Sequence, residues 1–373
     1  MHDVVRDIGR LIARRDQHMF TMKENLVIQD LAEENTLKNC TYIFLHDIAE
    51  LPEELDCPQL KFLYMKAKTR FSKIHDNFFK GMPNLGVVHL IEMVLSPMPV
   101  SFHFLKKLQT LYLDRCHLGD TVDIGKMKNL KIFVLSSDIK KLPEQIGELT
   151  RLKVLDLGQC YGLQVIPQNT ISRLTQLEEL YMADGFQRSN GSLGELEHLS
   201  QLTALQIYIP DAKFVPKGLA FQKLQRFRIY IGVDAWTLRY RLKGTSRILA
   251  LKYDDANISV EDGIIKQLKE IEELQLIGKQ GVKNVLYELN RDGFPKLKHF
   301  RVERNPELVY IVDFPKQSEP CVAFPHLQTL HLAELSSLEK ICHGQVTLTP
   351  NSFCQLRTLD VFIQFTKAEK FEL

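Results

Sequence analysis

One six-residue pattern recurs along this chain, apolar at its first, fourth and sixth positions and more variable between them. Copies begin at Leu60, Leu85, Leu108, Leu130, Leu152, Leu177, Leu202, Leu224, Ser246, Ile271, Leu297, Leu327 and Leu356, at intervals of 22 to 30 residues, and a weaker copy begins at Cys40. Successive side chains of a strand point to opposite faces. Each copy therefore predicts a short strand with its fourth and sixth residues inward and the residues between them outward. One copy cannot bury its leucines alone, whereas stacked copies bury a continuous ladder of them. The chain thus reads as α/β: a curved solenoid with a parallel sheet on its concave face, behind a short N-terminal helical segment.

The period is that of leucine-rich repeats, about 13–14 of them over residues 39–373, with the array irregular after 278. Between strands, Leu51-Pro52, Leu142-Pro143 and Ile166-Pro167 interrupt regular helix. The return legs are accordingly expected to be turns and short helical pieces. Asn84, Asn129 and Thr150 stand just before strands, where turn residues belong. The stretch Asn305–Pro325 carries four prolines and reads as an irregular surface insertion.

Residues 1–38 do not fit the repeat. Met1, Val4, Val5, Ile8, Leu11 and Ile12 recur at helical spacing, with Arg6, Arg10 and Arg14 mainly opposite, which predicts an amphipathic helix. The polar stretch Lys23–Asn39 reads as a connector.

Composition narrows the function. A net charge of +2 leaves no overall preference for a polyanion such as nucleic acid. No run of 18 apolar residues offers a membrane span, and the first residues carry no apolar core of a signal peptide. A cytoplasmic protein is expected. Seven cysteines, an odd number with no Cys-x-x-Cys pair, predict reduced thiols and no zinc site. The sequons at Asn39, Asn190 and Asn257 weigh little without a signal peptide. No phosphate-binding loop, zinc-protease or nucleophile-elbow motif occurs. The adjacent acids Glu178-Glu179 and Glu272-Glu273 point to opposite faces of a strand, and Asp254-Asp255 with Glu261-Asp262 lack calcium-loop spacing. An enzyme, a metal site and a cofactor are not expected.

The opening Met1-His2-Asp3-Val4-Val5-Arg6-Asp7, followed by a helix and then repeats such as Leu142–Cys160, Leu177–Met182 and Phe324–Cys342, resembles plant nucleotide-binding leucine-rich-repeat resistance proteins, closest to their coiled-coil-type branch. The resemblance implies that residues 1–38 are the end of the nucleotide-binding (NB-ARC) module. It implies that His2 and Asp3 match that module's ADP-contacting motif. With no phosphate loop in this chain, ADP or ATP would be bound only if the missing module is present. The resemblance further implies an array that recognises a pathogen effector or a guarded host protein and packs back on its own or a related NB-ARC module. The alternatives are a secreted receptor ectodomain or another leucine-rich-repeat protein-interaction scaffold.

The outward strand positions are the informative surface. Tyr64, Tyr112 and Tyr181 take the central outward position, and Tyr208 and Tyr230 lie two residues further on the same face. Tyrosine offers large contact area at low entropy cost. Glu178, Glu179 and Glu273 make an acidic band, and Arg226, Arg228, Lys252, Lys298 and Arg301 a basic one. Bands of opposite sign suit protein docking.

Overall fold

The computed structural model describes residues 19–21, 37–68, 72–119, 124–182, 193–215, 223–233, 245–253, 270–278, 283–285, 293–313, 324–343 and 352–362. The predicted N-terminal helix, His2, Asp3, Asp254-Asp255 and Glu261-Asp262 lie outside them. The chain divides into two compact units, Met1–Leu202 and Thr203–Leu373.

In the first unit, the strands follow the repeat. They are β1 (Met19–Thr21), β2 (Tyr42–Ile48), β3 (Phe62–Ala67), β5 (Val87–Ile91), β7 (Thr110–Asp114), β9 (Ile132–Ser136), β10 (Val154–Leu157) and β11 (Glu179–Met182), each parallel to the next. β1 was not foreseen: it lies within the stretch read as outside the repeat and pairs with the edge of β2. The inward pairs Leu63/Met65, Leu111/Leu113, Phe133/Leu135, Leu155/Leu157 and Leu180/Met182 are almost wholly buried. Each buried leucine-sized side chain contributes about 1.5–3 kcal/mol. The return legs form a small parallel sheet, β4 (Ser72–Lys73), β6 (Met93–Leu95) and β8 (His117–Leu118), and one-turn helices at Val100–Phe104 and Glu144–Glu148. The short helices match the expected turns and short helical pieces, whereas the small return-leg sheet was not foreseen. Phe79 packs between Phe78 and Phe102, at centroid distances of 5.0 and 4.4 Å, and fills the space behind the sheet.

In the second unit, β12 (Ala204–Ile209), β13 (Arg226–Ile231), β14 (Arg247–Tyr253), β15 (Glu273–Gly278), β16 (His299–Glu303), β18 (Thr329–Ala333) and β20 (Thr358–Phe362) again run parallel. The stretch read as an irregular insertion contains a strand, β17 (Tyr310–Asp313), which pairs with β19 (Lys340–His343). Its run Val309-Tyr310-Ile311-Val312 has strong strand propensity, and the side chain of Asn305 turns the chain into it by accepting from the N–H groups of Glu307 and Leu308.

Two devices join neighbouring repeats. Asn84 and Asn129 each donate to a carbonyl of the preceding repeat, Pro58 at 2.7 Å and Lys106 at 2.8 Å. The strand ends turn through a left-handed residue at Asp47, Glu92, Arg115, Gly232, Arg304 and Glu334. In every one of these cases the following residue (Ile48, Met93, Cys116, Val233, Asn305 or Leu335) is buried. The turn thus re-aims the chain into the core. Only one of the six is glycine, so the others accept a strained backbone of order 1 kcal/mol.

Candidate protein-binding face

The outward face of the first unit is far more apolar than a solvated sheet. The ladder sets Phe44 beside Tyr64, Tyr64 beside His89, and His89 beside Tyr112. Rings follow one another at 6.0 Å (Phe44–Tyr64), 5.0 Å (Tyr64–His89) and 5.3 Å (His89–Tyr112), and His46 stands 4.9 Å from Tyr64. Aromatic pairs at such separations contribute about 0.5–1.5 kcal/mol beyond their buried area. Phe44, Phe62, Tyr64 and Ile91 form one buried cluster, with Met19, Tyr42 and Val87 packed against it. Tyr112 is buried as well, and burial followed by the charge of Asp156 pushes its phenol above the ordinary value.

Two of the predicted tyrosines, Tyr64 and Tyr112, are therefore joined through His89. His89 could have been found in the sequence, since it occupies the same position of its copy as they do. Tyr181 stands apart, separated from Tyr112 in the ladder by Val134 and Asp156. It is half-buried and donates to Glu179 at 2.6 Å. Glu178 sits before β11 and is ion-paired with Lys153 at 2.6 Å.

In the second unit, Tyr208 and Tyr230 are direct neighbours on β12 and β13. Between β13 and β14 the register steps, so that Phe227, the fourth residue of its copy, is level with Arg247, and Ile229 with Leu249. The step sets Ala250 beside Tyr230 and Ile248 beside Arg228. Tyr208, Tyr230, Ile248, Ala250 and Ile277 are packed into one buried cluster with Val233. Arg226 is exposed, and Arg228 and Lys252 are half-buried.

The remaining predicted charges are engaged. Lys298 lies just before β16, not within it, and is paired with Glu272 at 2.8 Å. Burial raises the Glu272 carboxyl, but hydrogen bonds from Lys298 and Ser246 outweigh it and leave the group below its ordinary value. Arg301 donates through Nε to Glu303 at 2.7 Å, and His331 Nε2 stands 3.1 Å from the same oxygen. Glu273, read as part of the acidic band, is 3% exposed and accepts from Thr245 and Gln275 at 2.9 and 2.6 Å. The acidic band is thus largely a set of internal acceptors. The network around Glu303 was not legible in the sequence, because it joins two repeats, β16 and β18, whose register the sequence does not show.

Among the described residues no cluster of His, Cys, Asp and Glu is suited to a metal ion, and no helix is long and apolar enough to cross a membrane. Both units carry ring systems and charges on the outward face of their strands.

Comparison with known proteins agrees with this architecture. Residues 118–235 match the family model described as a leucine-rich repeat region. A disease resistance protein of Arabidopsis thaliana is 24% identical over 362 residues, which is 89% of this chain and 36% of that protein. The chain thus spans about a third of that relative's length. Among solved structures, a leucine-rich-repeat protein of Leptospira interrogans superposes with a TM-score of 0.55 at 18% identity, over 94% of this chain and 90% of that one. The functional domain of InlJ from Listeria monocytogenes gives 0.54 at 14% identity, over 90% and 66%. These likenesses establish a leucine-rich-repeat solenoid.

Proposed function

We propose that this chain is the leucine-rich-repeat part of a plant disease-resistance protein of the nucleotide-binding, coiled-coil-type class, and that it works in the cytosol by binding protein on the outward face of its strands. The observation that carries the binding role is the side chains that remain accessible on that face, with Arg226 exposed and Tyr181, Arg228 and Lys252 half-buried, over a backing of buried rings. Phe44, Tyr64, His89 and Tyr112 follow one another across four strands in one unit, and Tyr208 adjoins Tyr230 in the other. Aromatic and arginine side chains dominate the energetics of protein interfaces. The similarity to a plant disease resistance protein supports the biological setting.

On this reading residues 1–38 are the end of an NB-ARC module, and any contact of His2 or Asp3 with ADP belongs to the longer protein. The array has two kinds of partner, a pathogen effector or guarded host protein and the NB-ARC module itself. Docking on the module holds it inactive. A partner that binds only the undocked array shifts the population by as much as its affinities for the two states differ.

Affinity capture from leaf tissue tests the binding role. The wild-type chain is compared with Tyr181→Ala and Arg228→Ala, one outward substitution in each unit, and with Tyr161→Ala, which removes an exposed ring outside the sheet. Loss of specific partners with an outward substitution but not with Tyr161→Ala is expected. An identical partner profile for all four proteins would overturn the reading.

A further inference from the structure

The one-turn helix Val100–Phe104 is pinned at its middle and exposed at its ends. Phe102 packs on Phe79 with ring centroids 4.4 Å apart, and the Ser101 hydroxyl accepts from the Phe79 N–H at 3.1 Å. Ser101 donates its own N–H to the carbonyl of Asp76 at 2.9 Å. These contacts hold the helix against the preceding repeat and leave Val100 and Phe104 outside, 54% and 55% exposed. Phe104 stands four residues before the first apolar position of its copy. Gly81, Lys126 and Glu148 take that place in the neighbouring copies, so the core does not require a ring there.

The surroundings of Phe104 are basic. Segments 80–86, 100–109 and 124–131, which lead into β5, β7 and β9, hold six lysines and no carboxylate. They lie side by side: Lys107 Nζ donates to Asn84 Oδ1 at 2.5 Å, and Asn129 Nδ2 donates to the carbonyl of Lys106 at 2.8 Å. Neighbouring strands stand about 4.8 Å apart, so the three segments span only about 10 Å. Lys80, Lys106 and Lys107 are exposed, and among the described residues no carboxylate is paired with any of them. The amide that Lys107 meets is neutral and leaves its charge in place. Asp76 stands at one margin, and Glu148 at the other is already paired with exposed Lys128 at 2.7 Å. A net charge of +2 for the whole chain thus conceals one strongly basic edge.

We propose that this edge rests on an anionic bilayer surface, with Val100 and Phe104 entering the headgroup layer and the lysines meeting anionic lipid headgroups. The proposal does not depend on the outward sheet face and adds a second kind of partner. An aliphatic and an aromatic side chain that the core leaves out gain burial by entering the boundary between headgroups and acyl chains. Ammonium groups on flexible stems suit headgroups of no fixed geometry. Each lysine close to an anionic surface strengthens binding by about fivefold. Apolar insertion and a basic patch together supply the two signals that firm membrane attachment needs. Single-stranded nucleic acid is held instead by successive rings along a groove, and this edge offers one exposed phenyl ring.

The test is co-sedimentation of the full chain with sucrose-loaded vesicles, of phosphatidylcholine alone or with about 30% phosphatidylserine. The chain is expected to bind the mixed vesicles at least about tenfold more tightly than the neutral ones, and to come off as salt rises. F104S should lose about fivefold of that affinity, and K106Q/K107Q about twentyfold. The changed side chains are exposed, so both variants should keep the wild-type melting temperature, which separates a lost contact from a lost fold. Y161S removes an exposed ring elsewhere and should bind as the wild type does. Failure to bind the mixed vesicles, equal binding to both kinds, or unchanged affinity in F104S or K106Q/K107Q would overturn the proposal. So would an equal loss in Y161S, or release of the bound chain by an equal charge of single-stranded oligonucleotide or poly-glutamate.

Discussion

Glu195 offers a sharp test of how neighbouring repeats are held together. It lies in a short helical turn, Leu193–His198, and is 6% exposed. Its Oε1 accepts from the N–H of Asn169 at 2.6 Å, and its Oε2 from those of Ile171 and Ser172 at 2.8 and 2.9 Å. One carboxylate thus satisfies three main-chain donors of the preceding return leg. A hydrogen bond to a charged group contributes about 1.5–3 kcal/mol, and a buried donor left without a partner costs a similar amount. Water reaches part of the site through the open cleft lined by Gln168, Arg173 and His198, which recovers some of the loss. Glu195→Ala should therefore cost about 4 kcal/mol locally. Glu195→Gln keeps one acceptor oxygen for Ile171 and Ser172 but turns an N–H toward that of Asn169, and should cost about 2 kcal/mol. Repeat arrays open by neighbouring units, so amide exchange at Ile171 and Ser172 is the direct assay. Exchange should accelerate by about thirtyfold for Gln and by about a thousandfold for Ala, the factors that those energies imply. Rates within threefold of wild type in the Ala variant would refute the reasoning.

Arg115 has φ 51°, and its guanidinium reaches Glu92 at 3.3 Å. Arg115→Gly should leave the melting temperature unchanged or slightly higher, whereas Arg115→Val should lower stability by about 1–2 kcal/mol, because a β-branched residue resists the left-handed region. Burial pushes the thiols of Cys57, Cys116 and Cys160 up to about 12, so at neutral pH they remain unreactive thiols. Peptide mapping after brief alkylation of the native protein should find exposed Cys354 modified and those three intact until denaturant is added. Burial holds His299 below its ordinary 6.5, against the pull of Glu273. The unfolded chain takes up a proton there more readily than the folded one, so stability is full above about pH 6.5 and falls below it. Urea midpoints should show this slope between about pH 7 and 5, and His299→Gln should reduce it.

The inward half of the fold was legible because it is periodic. Leu111/Leu113 and Leu155/Leu157 are buried by the same six-residue logic that marked them in the sequence. The outward half was legible only in position. Tyr64, Tyr112, Tyr208 and Tyr230 do face outward, yet each is at most 9% exposed. Strands about 4.8 Å apart press large side chains against one another, whatever their place in the pattern. The step between β13 and β14 escaped the repeat count, since a shift by two residues preserves the inward and outward faces. The left-handed turns fell on Glu92, Arg115, Arg304 and Glu334, where the usual glycine signal is missing. Glu195 carried no signal in the sequence, because its partners lie a full repeat upstream.

The central claim is that the outward sheet face binds protein. The most direct measurement is hydrogen-exchange mass spectrometry of this chain alone and in complex with a partner captured from leaf tissue and purified. Protein binding at this face predicts protection of strand segments among β2, β3, β5, β7 and β9–β11 of the first unit, among β12–β16 of the second, or in both, with the return legs unchanged. Protection confined to return-leg segments such as Val100–Phe104 and Tyr161–Val165 would contradict it.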